Sequence, residues 1–430
     1  MTEGNPLRWP RKNKPEQIAQ RRDILRALPH WSAEDDFIFE TPGPGGDATY
    51  ANALEAQTGS MVWPVAVCGP MQVQYGTYAF EDRHLRESGR QEGAFYLPLA
   101  ETEGGLAASM QRGIIATSLS GGIRTFLLDD RITRDSAFLL HSTQEAVALA
   151  RWVQAHEQEM HDWLQDPPPS WQKQRPNGVA PISRHAELLA VRPFVLGDTC
   201  HLLYQFSTGD AVGANLATRN AYVLNEGFVV PRFRSQTGIE PEEWYLEMNM
   251  GGDKKVSYLY FIEGGHGKVA EAEATLTPNV LSRVLHITPQ QLDRVAHVGL
   301  QGAISSGMVS SAFTPATAVA AIYAATGQDL GMVGTSSMCQ TTSRNLPDGS
   351  VHFGVRMPSI EVGTIGGGTT LPYARAYLRL MDCAGAGKAQ QFAQLVAAAV
   401  LCLEISAIAS MSVAGSANFY EAHLTRGGLR

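Results

Sequence analysis

The chain has 430 residues, with 34 lysines and arginines against 42 aspartates and glutamates, for a formal charge of −8. Such a balance argues against nucleic acid or an anionic membrane surface as the main partner. With 44% hydrophobic and 18% charged residues, the composition excludes disordered, collagen-like and disulfide-scaffold classes and allows a large buried core.

The opening MTEGNPLRWPRKNKPEQ has no apolar region behind its basic residues, so it is not read as a secretory signal. A short helix over KPEQIAQRRDILRAL and a turn-rich linker at TPGPGGD follow. MVWPVAVCGPM is predicted to be a strand that leaves into a tight turn at Gly69-Pro70. LAETEGGLAASMQRGIIAT is predicted to be a loop running into a closely packed helix, because Gly and Ala let backbones approach. From about Ser136 to Trp244 come a helical run (STQEAVALARWVQAHEQEMHDWLQ), a proline-rich loop (DPPPSWQKQRPNG) and a strand (HLLYQFSTGD). This block suggests a small α+β unit inserted between two parts of a larger one. Beyond Glu247, strand signals fall at VSYLYFIEGG and VHFGVRMPSIEVG, and helical patterns at SAFTPATAVAAIYAATGQD and AQQFAQLVAAAVLCLEISAIASM. The last of these is the most apolar stretch, yet Gln394, Glu404 and serines interrupt it. Its longest apolar run, Leu395 to Leu403, falls short of the ~18–20 residues of a membrane span, so a buried helix is predicted. Cys68, Cys200, Cys339, Cys383 and Cys402 form no close pair, and a reduced cytoplasmic protein is expected.

Generic motifs fail in turn. EGGHGK lacks the spacing of a phosphate loop, and no GxGxxG opens a helix after a strand. His156 and His161 in HEQEMH would lie roughly 140° apart on a helix and cannot share a metal, and no metal site is expected. What remains is a set of polar residues in glycine-rich surroundings: Glu103 in AETEGG, Asp253-Lys254-Lys255 in MGGDKK, Asp329 in TGQD, and IGGGTT at 365–370. Glycines beside a carboxylate or lysine suit a site where a ligand must approach the backbone closely.

Together AETEGGLAAS, GDAVGAN, MGGDKKVSYLYFIEGGHGK, IYAATGQD and MPSIEVGTIGGGTTLP resemble hydroxymethylglutaryl-CoA (HMG-CoA) reductase. The resemblance runs in order from about Glu55 to His423, with wording closer to the eukaryotic and archaeal branch. It implies an α+β fold in which a large substrate-binding domain with a central helix carries an inserted, small ferredoxin-like NADP-binding domain. The implied division is an N-terminal helical segment and linker at 1–48, large-domain parts at 49–135 and 246–415, the inserted domain at 136–245, and a C-terminal flap at 416–430. The implied activity is reduction of HMG-CoA to mevalonate and CoA by two NADPH, in isoprenoid biosynthesis, within a homo-oligomer whose active sites lie between subunits and which needs neither nucleic acid nor membrane.

The resemblance also assigns roles. Lys254 matches the catalytic lysine, whose ammonium stabilises the developing oxyanion. Asp329 matches the aspartate that holds it, Glu103 the glutamate that protonates the carbonyl oxygen, and His423 the histidine that protonates the departing CoA thiolate. For NADPH, Asp210, Ala211, Val212, Gly213 and Asn215 resemble the dinucleotide-binding segment, Ser183 and Arg184 the pair near the 2′-phosphate, and Ile365, Gly366 and Gly367 the nicotinamide loop. Arg134, Asp253 and Lys255 fall at substrate-binding positions, as does His297, which stands where the family has a lysine. Thr317 stands for an asparagine, Glu55-Ala56-Gln57-Thr58-Gly59 for ENVIG, and Glu247 near an expected serine, and the path from Glu404 to His423 is longer than usual. A glutamate gained and a lysine lost would weaken an anionic acyl group. Two further readings therefore stand beside the first: the same chemistry on another acyl thioester, and a degraded homologue that only binds CoA or NADPH.

Overall fold

The computed structural model describes residues 12–29, 31–36, 55–81, 84–172 and 182–412, together with positions 10, 39 and 50. His423, the proposed flap at 416–430 and most of the N-terminal linker lie outside the described residues.

Nine strands are described: β1 (Val65–Glu81), β2 (His84–Ala100), β3 (Ile123–Leu139), β4 (Glu187–Leu196), β5 (Thr199–Ser207), β6 (Glu243–Leu246), β7 (Gly267–Leu276), β8 (Gln340–Asn345) and β9 (Val351–Ile360). The main path is β2-β1-β3-β7-β9-β8, with β1 and β3 parallel and the other neighbours antiparallel. Strand β1 does not end at Gly69-Pro70 but continues past it, with the register shifting between Cys68 and Met71. The Gln111 amide meets the backbone groups of Gly69 there, accepting from its N–H at 2.9 Å and donating to its carbonyl at 3.1 Å. A break in the ladder is thus tolerated without ending the strand.

Strand β3 serves two cores. Its first half pairs β1 and β7, while Ile132–Leu139 pairs β5 and Ser136–Leu139 also pairs β6. Chain order in the second unit is β3, helix Thr143–Ala155, β4, β5, helix Ala214–Leu224, β6, and the strands lie in the order β6-β3-β5-β4. This is a ferredoxin-like βαββαβ unit. Its apolar core runs from Ile132 to Leu246 and is separate from the main one, so it begins four residues before the sequence boundary at 136, because a single strand enters both sheets.

The helix Ala389–Met411 is the one described helix long and apolar enough to cross a membrane, and nearly all of it is buried in the body. It packs on β3, β7, β9 and on helices Leu106–Leu119 and Pro315–Thr326. Each polar residue interrupting its sequence has an internal partner. Gln394 Oε1 accepts from Gly76 N and Thr125 Oγ1, both at 3.0 Å. Ser406 Oγ meets Ser109 Oγ at 2.8 Å and accepts from Arg112 Nε at 3.0 Å. The Glu404 carboxylate accepts from Phe313 N (2.8 Å), Thr314 N (3.0 Å) and Thr314 Oγ1 (2.7 Å), fixing the residues that lead into helix Pro315–Thr326. Burial raises the Glu404 carboxyl above its ordinary value against these three donors.

Other local expectations divide. Helices Pro15–Arg26, Pro315–Thr326 and Ala389–Met411, and strands β5 and β9, fall where predicted. The predicted run 142–165 breaks at His156 into Thr143–Ala155 and Glu157–Gln165. VSYLYFIEGG holds no strand; Tyr258–Glu263 is a helix. Strand β7 already has β3 and β9 on its two edges, so a preceding strand would find no free edge beside it.

Candidate active site

Lys254 lies in the connection between β6 and Tyr258–Glu263, where Glu247, Asn249 and Lys254 all adopt left-handed backbone conformations (φ 58°, 71° and 57°). Non-glycine residues hold such angles only where surrounding contacts impose them, and they concentrate at functional sites. The Lys254 ammonium contacts Asp329 Oδ2 at 2.6 Å, with both side chains 45% exposed. Asp329 is placed by the turn after Pro315–Thr326 and accepts from Gly331 N at 2.9 Å. The bond to Asp329 raises the Lys254 ammonium above its ordinary value, despite partial burial, and nearby Asp253 and Glu361 add to the effect. Burial works against ionisation of Asp329, but Lys254 and Gly331 outweigh it and hold the carboxyl below its usual range. Both partners therefore stay ionised at neutral pH, and Lys254 keeps its charge.

Close backbone contact brings the glycine-rich segment to this turn. A Cβ on Gly327 would lie 2.4 Å from the Gly368 carbonyl oxygen, and one on Gly368 would lie 2.3 Å from that of Gly327. The Gln328 side chain accepts from Gly363 N at 2.9 Å, adding a second tie. Beyond it, Ile365, Gly366 and Gly367 are exposed, and a Cβ on either glycine would meet nothing within 4 Å. A flat ligand can approach the backbone there.

The segment 210–215 meets this loop through Asp210, whose backbone carbonyl accepts from Thr364 N at 2.8 Å. Its carboxylate accepts from Gly387 N (2.7 Å), Lys388 N (3.0 Å) and Ala389 N (3.0 Å), at the start of the buried helix. In the structure the Asp210 carboxylate, expected among the cofactor contacts, clamps three main-chain donors, which suits the positive end of a helix. Asp210→Ala is expected to lower the melting temperature and raise the KM for the dinucleotide together. Weakened dinucleotide binding with unchanged melting would show a direct contact instead.

Ala211 and Val212 lead to Gly213, which caps helix Ala214–Leu224, with Asn215 exposed in its first turn. Asn220 of that helix holds Ser183, accepting from its N–H at 2.8 Å and donating to its carbonyl at 2.9 Å, and so orients exposed Arg184. Glu103 is exposed in the turn between β2 and Leu106–Leu119.

Arg134 is buried, with Nη1 donating to Glu247 Oε2 at 2.8 Å and to Asp253 Oδ2 at 3.2 Å, and Nη2 to the Ala214 carbonyl at 3.1 Å. Lys255 turns back onto the Asp253 carbonyl at 2.9 Å. His297 is exposed on helix Pro289–Ser305. Two residues without a role in the sequence reading join this neighbourhood: His266, buried before β7, and Glu361, buried after β9, 3.3 Å apart (Nε2 to Oε2). With Asp253 they form a cluster whose ligand-type atoms all lie within 4.8 Å of one another. EGGHGK and MPSIE both belong to the family strings, and neither carries a local signal that points to the other.

The arrangement is a charged lysine paired with an aspartate, in a chain that also carries an exposed glycine loop and a ferredoxin-like unit. The profile of the family described as hydroxymethylglutaryl-coenzyme A reductase matches residues 17–427. The chain is 33% identical over 369 residues to the 3-hydroxy-3-methylglutaryl-coenzyme A reductase of Pyrococcus horikoshii, covering 84% of this chain and 80% of that one. It is 33% identical over 387 residues to that of Aeropyrum pernix, covering 89% and 83%. The fold is similar to that of the class II enzyme from Streptococcus pneumoniae solved with NADPH (TM-score 0.61, 14% identity, 91% of this chain and 96% of that one). The chain belongs to the hydroxymethylglutaryl-coenzyme A reductase family.

Proposed function

We propose that this chain reduces HMG-CoA to mevalonate and CoA with two NADPH. The observation that carries the reading is the Lys254–Asp329 pair, in a chain of this family. NADPH supplies hydride when bound, and its fit is supported by the open backbone at Gly366 and Gly367 and by Arg184, exposed beside a held Ser183. Lys254 stabilises the oxyanion at the reacting carbonyl. Because Lys254 is held charged, the proton for that oxygen comes from another group, the role assigned to Glu103, and His423 protonates the leaving thiolate.

A second reading, the same chemistry on another acyl thioester, is favoured by Arg134. The guanidinium matched to the substrate's free carboxylate already carries Glu247 and Asp253. NADPH oxidation by the purified protein is to be compared with HMG-CoA, acetyl-CoA, malonyl-CoA and succinyl-CoA, with NADH as the cofactor control. Oxidation with HMG-CoA alone, at two NADPH per mevalonate, is expected. Turnover of another thioester without HMG-CoA would establish the second reading. His423→Ala should slow HMG-CoA while sparing free mevaldehyde, which has no thiolate to release; equal slowing of both would refute the proton-donor role.

We assign the protein to the cytoplasm, supported by five buried cysteines without a disulfide. A homo-oligomer is supported by helix Pro289–Ser305, which leaves Val298, Leu300 and Ile304 exposed.

A further inference from the structure

We propose that Asp253, His266 and Glu361 form a binding site for a divalent transition cation, Zn2+ in the first instance. Their ligand atoms lie within 4.8 Å of one another. His266 and Glu361 have no side-chain exposure, yet His266 Nε2, both Glu361 carboxylate oxygens and Asp253 Oδ1 lack a hydrogen-bond partner among the described residues. Buried polar atoms left so are rare, and four converging on one point call for a ligand.

The hydrogens decide what kind of ligand. Tyr260 donates its hydroxyl hydrogen to the Met250 carbonyl at 2.6 Å. Thr133 donates its own to the Gly251 carbonyl at 2.7 Å or to the Tyr260 oxygen at 3.2 Å. Thr133 Oγ1, 2.6 Å from His266 Nδ1, is therefore an acceptor there, and Nδ1 carries hydrogen. With Nδ1 bonded to Thr133, Nε2 faces Glu361, and the 3.3 Å approach is not aligned as a hydrogen bond. Two possible ligand atoms at this distance fit a shared cation: zinc bonds of ~2.0–2.2 Å with tetrahedral angles place neighbouring ligand atoms roughly 3.3–3.5 Å apart. Thr133 supplies the outer hydrogen bond that fixes a ligating imidazole, and Arg134 does the same for Asp253 through Oδ2. Three protein ligands leave a fourth position on the side of Asp253, the least buried of the three. The ion would tie the ends of β7 and β9 to the residue next to Lys254 and so fix the left-handed segment that carries it.

The test is Co2+ titration of the chelator-treated full-length protein, read by ligand-field absorption. Bands saturating at about one equivalent per chain, and displaced by Zn2+, are expected. His266→Ala and Glu361→Gln should abolish them, while Thr133→Val should weaken affinity by about 10–100-fold. Wild-type protein should also melt higher with Zn2+ than after chelation, a readout that does not depend on any variant folding. Absence of bands together with no melting shift would overturn the proposal and leave a proton-shared imidazole–carboxylate pair. Bands persisting in folded His266→Ala and Glu361→Gln would place the ion elsewhere and overturn it equally.

Discussion

Lys254→Ala is expected to lower kcat/KM for HMG-CoA by about 10³-fold while leaving NADPH affinity within a few-fold of wild type. A lysine held 2.6 Å from Asp329 is charged and immobilised before substrate arrives, so its stabilisation of a developing oxyanion needs no reorganisation. Alanine removes the charge and leaves the Asp329 carboxylate without its cation, which turns an attractive site into a repulsive one. Lys254→Arg keeps the charge, but the planar fork cannot reproduce a compact ammonium at the same point, so a substantial loss is expected there too. The sign of the pH dependence follows from the two shifts. Lys254 is raised and Asp329 lowered, so the pair persists through neutrality and is lost as pH falls through the depressed Asp329 value or rises through the raised Lys254 value. Steady-state rates across pH, with dinucleotide binding measured separately, provide the check. A Lys254→Ala enzyme retaining a tenth of wild-type kcat/KM would remove Lys254 from the chemistry.

The second large effect is on stability. A Cβ on Gly113 would lie 1.9 Å from the Cys402 carbonyl oxygen and 2.5 Å from its carbonyl carbon. Those atoms are main chain, so no side-chain rotation relieves the clash. Gly113→Ala must therefore push Leu106–Leu119 away from the buried helix Ala389–Met411. Alanine's better helix propensity, ~1 kcal/mol, works in the opposite direction. Separating two close-packed helices costs more, and a net destabilisation of about 3–5 kcal/mol is expected. Thermal melting should read this as a fall of roughly 5–10 °C. An unchanged melting temperature would mean that the two helices can part at no cost.

Several features of this protein are written locally in the chain. The long apolar runs at 315–326 and 389–411, the small residues of LAASMQRGIIAT and the apolar, aromatic stretch HLLYQFS specify helices and a strand that form where predicted. The strings around Lys254, Asp329 and Gly366 were legible for the same reason, since each needs only its own neighbours to be recognised. That the Lys254 ammonium meets the Asp329 carboxylate came from family resemblance rather than from any local signal.

Tertiary structure decided the rest, because the deciding contacts join residues remote in sequence. Whether 256–263 is strand or helix turned on β7 having both edges taken, which no local propensity encodes. The Asp210 carboxylate became a helix clamp because residues 177 to 179 positions later offer three unbonded N–H groups at the point it reaches. Arg134 acquired Glu247 and Asp253 through the same folding of the β6 connection. His266 and Glu361 became neighbours only because β7 and β9 pair antiparallel, which brings the start of one strand beside the end of the other. Sequence alone thus determined which elements and which chemical groups this protein has; strand pairing and helix packing decided which groups face one another, since a charge or lone pair acts through distances of a few ångströms that only the folded chain defines.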